Sequence, residues 1–243
     1  MSRSMKPRLG TLISALAIAA VMTVGVAACA PVGGGDTGGT GGSSAPSAAP
    51  IPTGTSGAAD FDGGFLTVGS GATVVDVYFD PMCPICGVFD KTNGAQLSSF
   101  VDDGTITLRL HPMNFLNRLS QGTEYSTRAG GALTCVAVAD PTKTLPYLTA
   151  LFDDQPEEGS AGIDDAALVK LASDLGVSDI SECVTTQAYG SWVQHINDAA
   201  LAGPIEGADI PKVEGTPTVL VNGNSFTGQV NDAKGLAAFI TAG

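Results

Sequence analysis

The run Ala72–Phe79, ATVVDVYF, leading directly into Asp80-Pro81-Met82-Cys83-Pro84-Ile85-Cys86, constrains this chain more than any other feature. An unbroken series of β-branched and aromatic residues reads as a buried strand. Pro81 and Cys83 end it, and a helical pattern follows from about Cys83 to Val101. Pro84 suits a first helical turn, where the N–H it lacks would have had no partner. After Asp103-Gly104 a second strand is predicted over Thr105–Leu110. Two strands joined through a helix run parallel, so the segment is a βαβ unit.

The C-terminal end follows a different logic. Pro217–Val221 reads as a strand, Asn222-Gly223 is a strong hairpin-turn signal, and Ser225–Gly228 can return antiparallel. Asn231 or Asp232 can then cap a last helix running to about Ala242, giving ββα. Between the halves, Met113 to about Asp209 is predicted helical. The clearest element spans Asp164–Gly176, with acidic residues at its start, apolar positions at Leu168, Leu171, Ala172 and Leu175, and a stopping glycine. Glu124–Ala139 and Gln187–Leu201 are further helical candidates.

The front of the chain is set apart by composition. Arg3, Lys6 and Arg8 precede a charge-free apolar run, Leu9–Ala28, which is the layout of an export signal over residues 1–28. The run is also long enough to span a bilayer as a retained anchor. Val26-Ala27-Ala28-Cys29 resembles a bacterial lipobox, which would make Cys29 an acylated first residue. Ala28-Cys29-Ala30 fits ordinary signal cleavage as well. Five cysteines are an odd number, and acylation of Cys29 would leave four that can pair. From Pro31 to Asp60, 26 of 30 residues are Gly, Ala, Ser, Thr or Pro, so residues 29–60 are expected to form a tether with nothing to bury. Its typical span is about 30 Å.

Without residues 1–28 the chain keeps eight of its 11 basic residues against 24 acidic ones, a formal charge of −16. Such a surface repels nucleic acid, and no basic stripe with interleaved aromatics opposes that conclusion.

Three chemistries compete for Cys83 and Cys86. A zinc site needs four ligands, but Cys135 and Cys183 lie far apart and His111 and His195 form no closely spaced pair, so no metal is expected. Covalent haem attachment needs a histidine where Gly87 stands. A structural bridge across so short a loop would constrain the unfolded chain little. Thiol–disulfide exchange fits the placement: a cysteine at a helix start has unpaired N–H groups and the helix dipole to favour its thiolate.

Strand, DPMCPIC, helix, strand, helical segment and then GTPTVLVNG resembles the DsbA-like branch of the thioredoxin superfamily, over about residues 65–243. It is most similar to the lipoprotein and membrane-anchored members of Gram-positive actinobacteria. The resemblance implies an α/β thioredoxin-like fold (βαβ…ββα), formed by residues 61–112 and 210–243, with an inserted α-helical subdomain over 113–209. It implies an extracytoplasmic oxidoreductase, most naturally an oxidase, that exchanges disulfides with exported proteins carrying free thiols or disulfides. Cys83 would be the exposed nucleophile and Cys86 its buried partner. Pro217 would be a cis proline, with Thr216 offering its backbone to a bound peptide. Cys135 and Cys183 would form a structural disulfide in the insert. No bound cofactor is implied, and a monomer is expected. Re-oxidation would fall to a quinone-coupled membrane enzyme of the VKOR or DsbB type. The chain would sit on the outer face of the cell membrane by its lipid anchor, or else be secreted or signal-anchored. A reductase or isomerase running the steps in reverse, and a thioredoxin-like binding lipoprotein with a non-catalytic CxxC, stay open as alternatives.

The chain departs from the family's strong oxidants in two places. Ile85 stands where they carry histidine, and Asp80 and Asp90 are expected to oppose a negative sulfur. Val77 stands where many relatives carry a buried acid, while Asp76 should point to the opposite sheet face. His111 and His195 are expected to be structural, and Trp192 to be core of the insert.

Overall fold

The computed structural model describes residues 50–243. The export segment 1–28, Cys29 and the tether up to residue 49 lie outside the described residues. The described strands are β1 (Thr55–Ser56), β2 (Ala59–Asp60), β3 (Phe65–Gly69), β4 (Thr73–Phe79), β5 (Ile106–Pro112), β6 (Thr218–Val221) and β7 (Asn224–Ser225). They form one mixed sheet in the order β1-β2-β3-β5-β4-β6-β7. Helix α1 (Pro84–Asp102) crosses from β4 to β5, which pair in parallel from Thr73↔Ile106 to Phe79↔Pro112. Strands β3 and β6 flank that pair antiparallel. This is the thioredoxin-like α/β arrangement, with a helical segment inserted between β5 and β6.

Residues 50–60 correct the predicted end of the tether. Ala58 and Ala59 are buried, and Ala58 N–H donates to Ala137 O at 2.8 Å. Gly57 makes this approach feasible: its φ is +55°, and a Cβ there would overlap the Ala137 and Val138 backbone. Small residues bring little surface of their own to bury, but here their smallness lets two backbones meet. Strand β3 has no clear mark in the sequence. Its five residues offer too little alternation to stand out, although Leu66 is wholly buried.

Side-chain alternation gives the sheet two different faces. Val75, Val77, Phe79, Leu108 and Leu110 point toward α1 and α3 (Thr144–Asp153). Asp76, Tyr78, Arg109 and His111 point the other way, toward α6 (Gly190–Ala202).

Within the insert, α2 (Tyr125–Ala139) is the hub, packing on α3, α4 (Asp165–Asp174), α5 (Ser181–Thr185) and α6. Gly130 keeps it close to the sheet end and to α6, since a Cβ there would press on Pro112 and Val193 at 3.2–3.3 Å. Asp164 caps α4 by accepting from Ala167 N–H at 2.8 Å. Trp192 is fully buried and donates Nε1–H to Phe61 O at 3.0 Å, tying α6 to the chain just after β2. At the other end, Asn222-Gly223 makes the hairpin turn with both φ positive. The return strand is only Asn224–Ser225, shorter than predicted, although Phe226 N–H still donates to Val219 O at 2.9 Å; the outward Ser225 N–H donates to the Asp209 carboxylate at 3.0 Å. Asp232 caps α7 (Ala233–Ala242) through Gly235 N–H at 2.9 Å.

Cys135 on α2 and Cys183 on α5 are joined, with their Cα atoms 6.1 Å apart and 48 positions of sequence between them. A cross-link over a loop of that length restricts the unfolded chain by about 4 kcal/mol at 25 °C. Replacing both residues (Cys135→Ser with Cys183→Ser) should therefore lower the unfolding free energy in urea by about 4 kcal/mol. A loss below about 1 kcal/mol would mean that the bridge does not staple the insert.

Candidate active site

The geometry of the dithiol begins with a turn. Cys83 N–H donates back to Asp80 O at 2.9 Å, folding Asp80–Cys83 between β4 and α1. Cys83 then occupies the N-cap position with extended backbone (φ −72°, ψ 115°), and Pro84 follows at the first helical position. N–H groups in the first turn of a helix have no carbonyl ahead of them. Those of Ile85 and Cys86 favour the Cys83 thiolate, although Cys83 makes no side-chain cap hydrogen bond. The sulfur also lies 3.4 Å from Thr216 O, to which its S–H donates. The Thr216–Pro217 peptide bond is cis. The two segments predicted to meet, CPIC and GTPT, are thus in contact although 133 positions separate Cys83 from Thr216.

Both sulfurs are free thiols, with opposite acidities. The Cys83 thiol is held down at about 6, chiefly by the Cys86 side chain donating to its thiolate. Burial works against this, and the Thr216 side chain and the two backbone N–H groups add to it. Cys86 is pushed up, first by burial and then by the neighbouring Cys83 sulfur. One thiol is thus poised to ionise near neutrality and the other to stay protonated. The Thr216 hydroxyl is buried and makes no hydrogen bond among the described residues.

The expected exposure of Cys83 needs correction. The residue is recessed, at 7% exposure against 1% for Cys86, so the difference between the two is real but small. The exposed surface belongs to neighbouring apolar side chains, Ile85 at 49% and Val88 at 42%. Ile85 brings no polar side chain to the sulfur, yet its backbone N–H does help the thiolate.

The two aspartates take different places. Asp80 is completely buried beneath the turn. Its Oδ1 accepts from Met82 N–H at 2.9 Å and from Ser126 Oγ–H at 2.6 Å, and its Oδ2 accepts from Leu116 N–H at 3.0 Å. Burial raises its pKa to about 6 against those three donors, and repulsion from Cys83 adds to the rise. Asp90 lines an apolar cavity together with Cys86. Burial and then Asp153 raise it to about 6, with Lys91 opposing.

Asp76 lies on the opposite sheet face, as alternation predicts, and pairs with His111 Nε2 at 2.9 Å, while the His111 ring stacks on Tyr78 at 4.0 Å. His111 and His195 both line a cavity of about 590 Å³ there, away from the dithiol. Sequence reasoning missed Ser126 and Gln155, which reach the CPIC turn from the insert. Nothing local in the sequence marks either one. Among the described residues no group of three His, Cys, Asp or Glu side chains is arranged to hold a metal ion, and no helix is long and apolar enough to cross a membrane.

Residues 67–242 match the family model described as thioredoxin. Among curated proteins, the chain is 35% identical over 132 residues to the serine/threonine-protein kinase PknE of Mycobacterium tuberculosis. That match covers 52% of the chain but only 23% of the kinase. The reduced form of the disulfide bond oxidoreductase DsbG from M. tuberculosis superposes with a TM-score of 0.62 at 29% identity, over 74% of this chain and 87% of that one. Oxidised DsbA from the same organism gives a TM-score of 0.61 at 28% identity, over 73% and 91%.

The acidity of Cys83 predicts a pH profile. Iodoacetamide should react with the reduced protein at a rate that climbs through a midpoint near pH 6, and Cys86→Ala should raise that midpoint by removing the hydrogen bond from the Cys86 side chain. A depressed thiol pKa also means that the unfolded chain binds more protons than the folded one between about pH 6 and 9, so the reduced form gains stability as pH rises through that window. The oxidised form, which has no such thiol, should show no matching gain. A midpoint near 9 with parallel stability curves would contradict this geometry.

Proposed function

Because the chain belongs to the thioredoxin family, within its DsbA-like branch of thiol–disulfide oxidoreductases, we propose that it exchanges disulfides with exported proteins through Cys83 and Cys86, chiefly as an oxidase. The observation that carries this reading is the pairing of an acidified sulfur at the tip of α1 with a buried, high-pKa partner, beside the Thr216 carbonyl. Starting from the Cys83–Cys86 disulfide, a substrate thiolate attacks Cys83 Sγ, the S–S bond breaks, and Cys86 departs and takes a proton. A second thiolate of the substrate then attacks the substrate sulfur of the mixed disulfide. Cys83 leaves as a thiolate, which its low pKa makes a good leaving group. The substrate loses two electrons, and the reduced dithiol must pass them to an outside oxidant, for which we propose a quinone-coupled membrane enzyme of the VKOR or DsbB type.

In this reading Thr216 and Pro217 offer an edge to an extended substrate strand, and the exposed Ile85 and Val88 give its side chains apolar contact. The Cys135–Cys183 bridge stays out of the exchange because it lies within the insert. The basic start, the apolar run and the Cys29 context of the sequence support export and a lipid anchor on the outer face of the cell membrane.

The reading is tested by refolding a reduced protein that needs several disulfides. The wild type should restore activity to that substrate, whereas Cys83→Ser should be inactive. Full activity in Cys83→Ser would leave a binding module as the better account. Thiol trapping in cells separates the directions: a dithiol found mainly oxidised fits an oxidase, and one found mainly reduced fits a reductase or isomerase. A redox titration should place the pair as less oxidising than relatives with CPHC, since Ile85 offers the thiolate no ring N–H.

A further inference from the structure

We propose that Gln155, from the segment after α3, is a positioning residue for the Cys83 sulfur, and that Gly87 is kept side-chain-free so that Gln155 can reach its place. The inference rests on the reading of Cys83 as the reacting group.

Its geometry is specific. The Gln155 side-chain amide has two N–H bonds at Nε2, and it donates one to Pro81 O at 3.0 Å and the other to Cys83 O at 2.9 Å. These are the carbonyls on either side of Met82, in the turn that presents the sulfur. In an unbroken helix, Pro81 O would accept from Ile85 N–H, four residues ahead. Among the described hydrogen bonds no backbone N–H reaches Pro81 O, and the only backbone donor to Cys83 O is Gly87 N–H, at a long 3.2 Å. Gln155 therefore supplies from outside the donor that the helix does not, and it holds the turn that sets the Cys83 sulfur 3.4 Å from Thr216 O. Without Gln155, the Pro81 carbonyl would lose its donor and the Cys83 carbonyl one of two, and the turn that carries the sulfur would be free to shift away from Thr216.

Gly87 is the complementary half. Its absent Cβ would overlap the Gln155 Oε1, so any larger residue there displaces the amide. Gly87 is buried in the first turns of α1, where alanine would otherwise be the better helix former. Close approach of the glutamine gives that glycine a reason. The two residues, far apart in the chain, act as one device.

The test is a double-mutant cycle on the full chain, reading the Cys83 titration from thiolate absorbance and the dithiol–disulfide equilibrium against glutathione. Asp80, Cys86 and Thr216 face the same sulfur and are unchanged in every variant. Gln155→Ala should move the Cys83 midpoint up by roughly 0.5 to 1 pH unit and shift the equilibrium toward the oxidised protein by roughly 3- to 10-fold. Gly87→Ala should shift both in the same direction, because its methyl group expels the amide. The double variant should shift no further than the larger single change. Gly87→Ala should lower the melting temperature of the otherwise wild-type chain and raise that of the Gln155→Ala variant.

A folded Gln155→Ala protein with the wild-type midpoint and equilibrium would overturn the proposal, as would single shifts that add in the double variant. If Gln155→Ala does not fold, Gly87→Ala carries the same test by displacing an intact glutamine. Loss of melting temperature alone, without movement of the titration, would make the contact structural and also overturn it. Wild-type refolding activity is a separate readout: its absence, with the titration shifts intact, would sink the proposed function and leave the positioning role standing.

Discussion

Backbone N–H groups that have no carbonyl to bond are the constraint around which this site is arranged. Every helix start has them, and water or a capping oxygen usually takes them up. At the start of α1 the Cys83 N-cap makes no side-chain cap hydrogen bond, and Pro84 removes one donor. The N–H groups of Ile85 and Cys86 nevertheless favour negative charge on its sulfur. A thiolate there is worth more than a thiol, and that difference is what would drive one sulfur to leave and the other to hold a proton. The burial that raises Cys86 comes from the same packing, since its side chain faces the apolar side of the sheet while the Cys83 sulfur meets the Thr216 edge.

The helical insert is part of this arrangement. The Asp80 carboxylate, with no solvent access, takes hydrogen bonds from Leu116 and from Ser126 on α2, so the turn before the dithiol is fastened to the insert. Gln155 fastens the same turn from the end of α3. A buried carboxylate is tolerated only when its oxygens are satisfied, and Asp80 has three donors. Its raised pKa records how closely burial and hydrogen bonding are balanced there. The bridge from Cys135 to Cys183 binds α2, which carries Ser126, to α5. What looks in sequence like a long interruption of the fold is the support of its reactive turn.

The sheet's two faces divide the remaining polar residues. Alternation along β4 puts Val77 beside the dithiol helix and Asp76 on the far side, where His111, Tyr78 and Arg109 gather with it. A carboxylate one position away in sequence is therefore absent from the chemistry altogether. The Arg109 guanidinium stacks over the Phe65 ring at 4.5 Å, which anchors strand β3 to that same face.

Local pattern is enough for the strand–turn–helix around CPIC, for the hairpin at Asn222-Gly223, and for the helices at 125–139 and 165–174, because periodicity, caps and turn residues act over a few neighbours. Those signals also mark Cys83 and Cys86 as a pair worth attention. The same signals misjudge residues 50–60, where whether an alanine is buried depends on how near α2 passes. They also set Asp90 against the Cys83 sulfur, whereas the charge that acts most on it is Asp153, from the end of α3. Gln155 and Ser126 carry no mark at all, since an amide or a hydroxyl becomes significant only when folding brings a carbonyl or a carboxylate within 3 Å. Residue order is thus sufficient to say which sulfur stands at a helix tip. The donors, acceptors and apolar walls around that sulfur follow from packing, because hydrogen bonds and burial depend on distance in space, and chain order does not supply that distance.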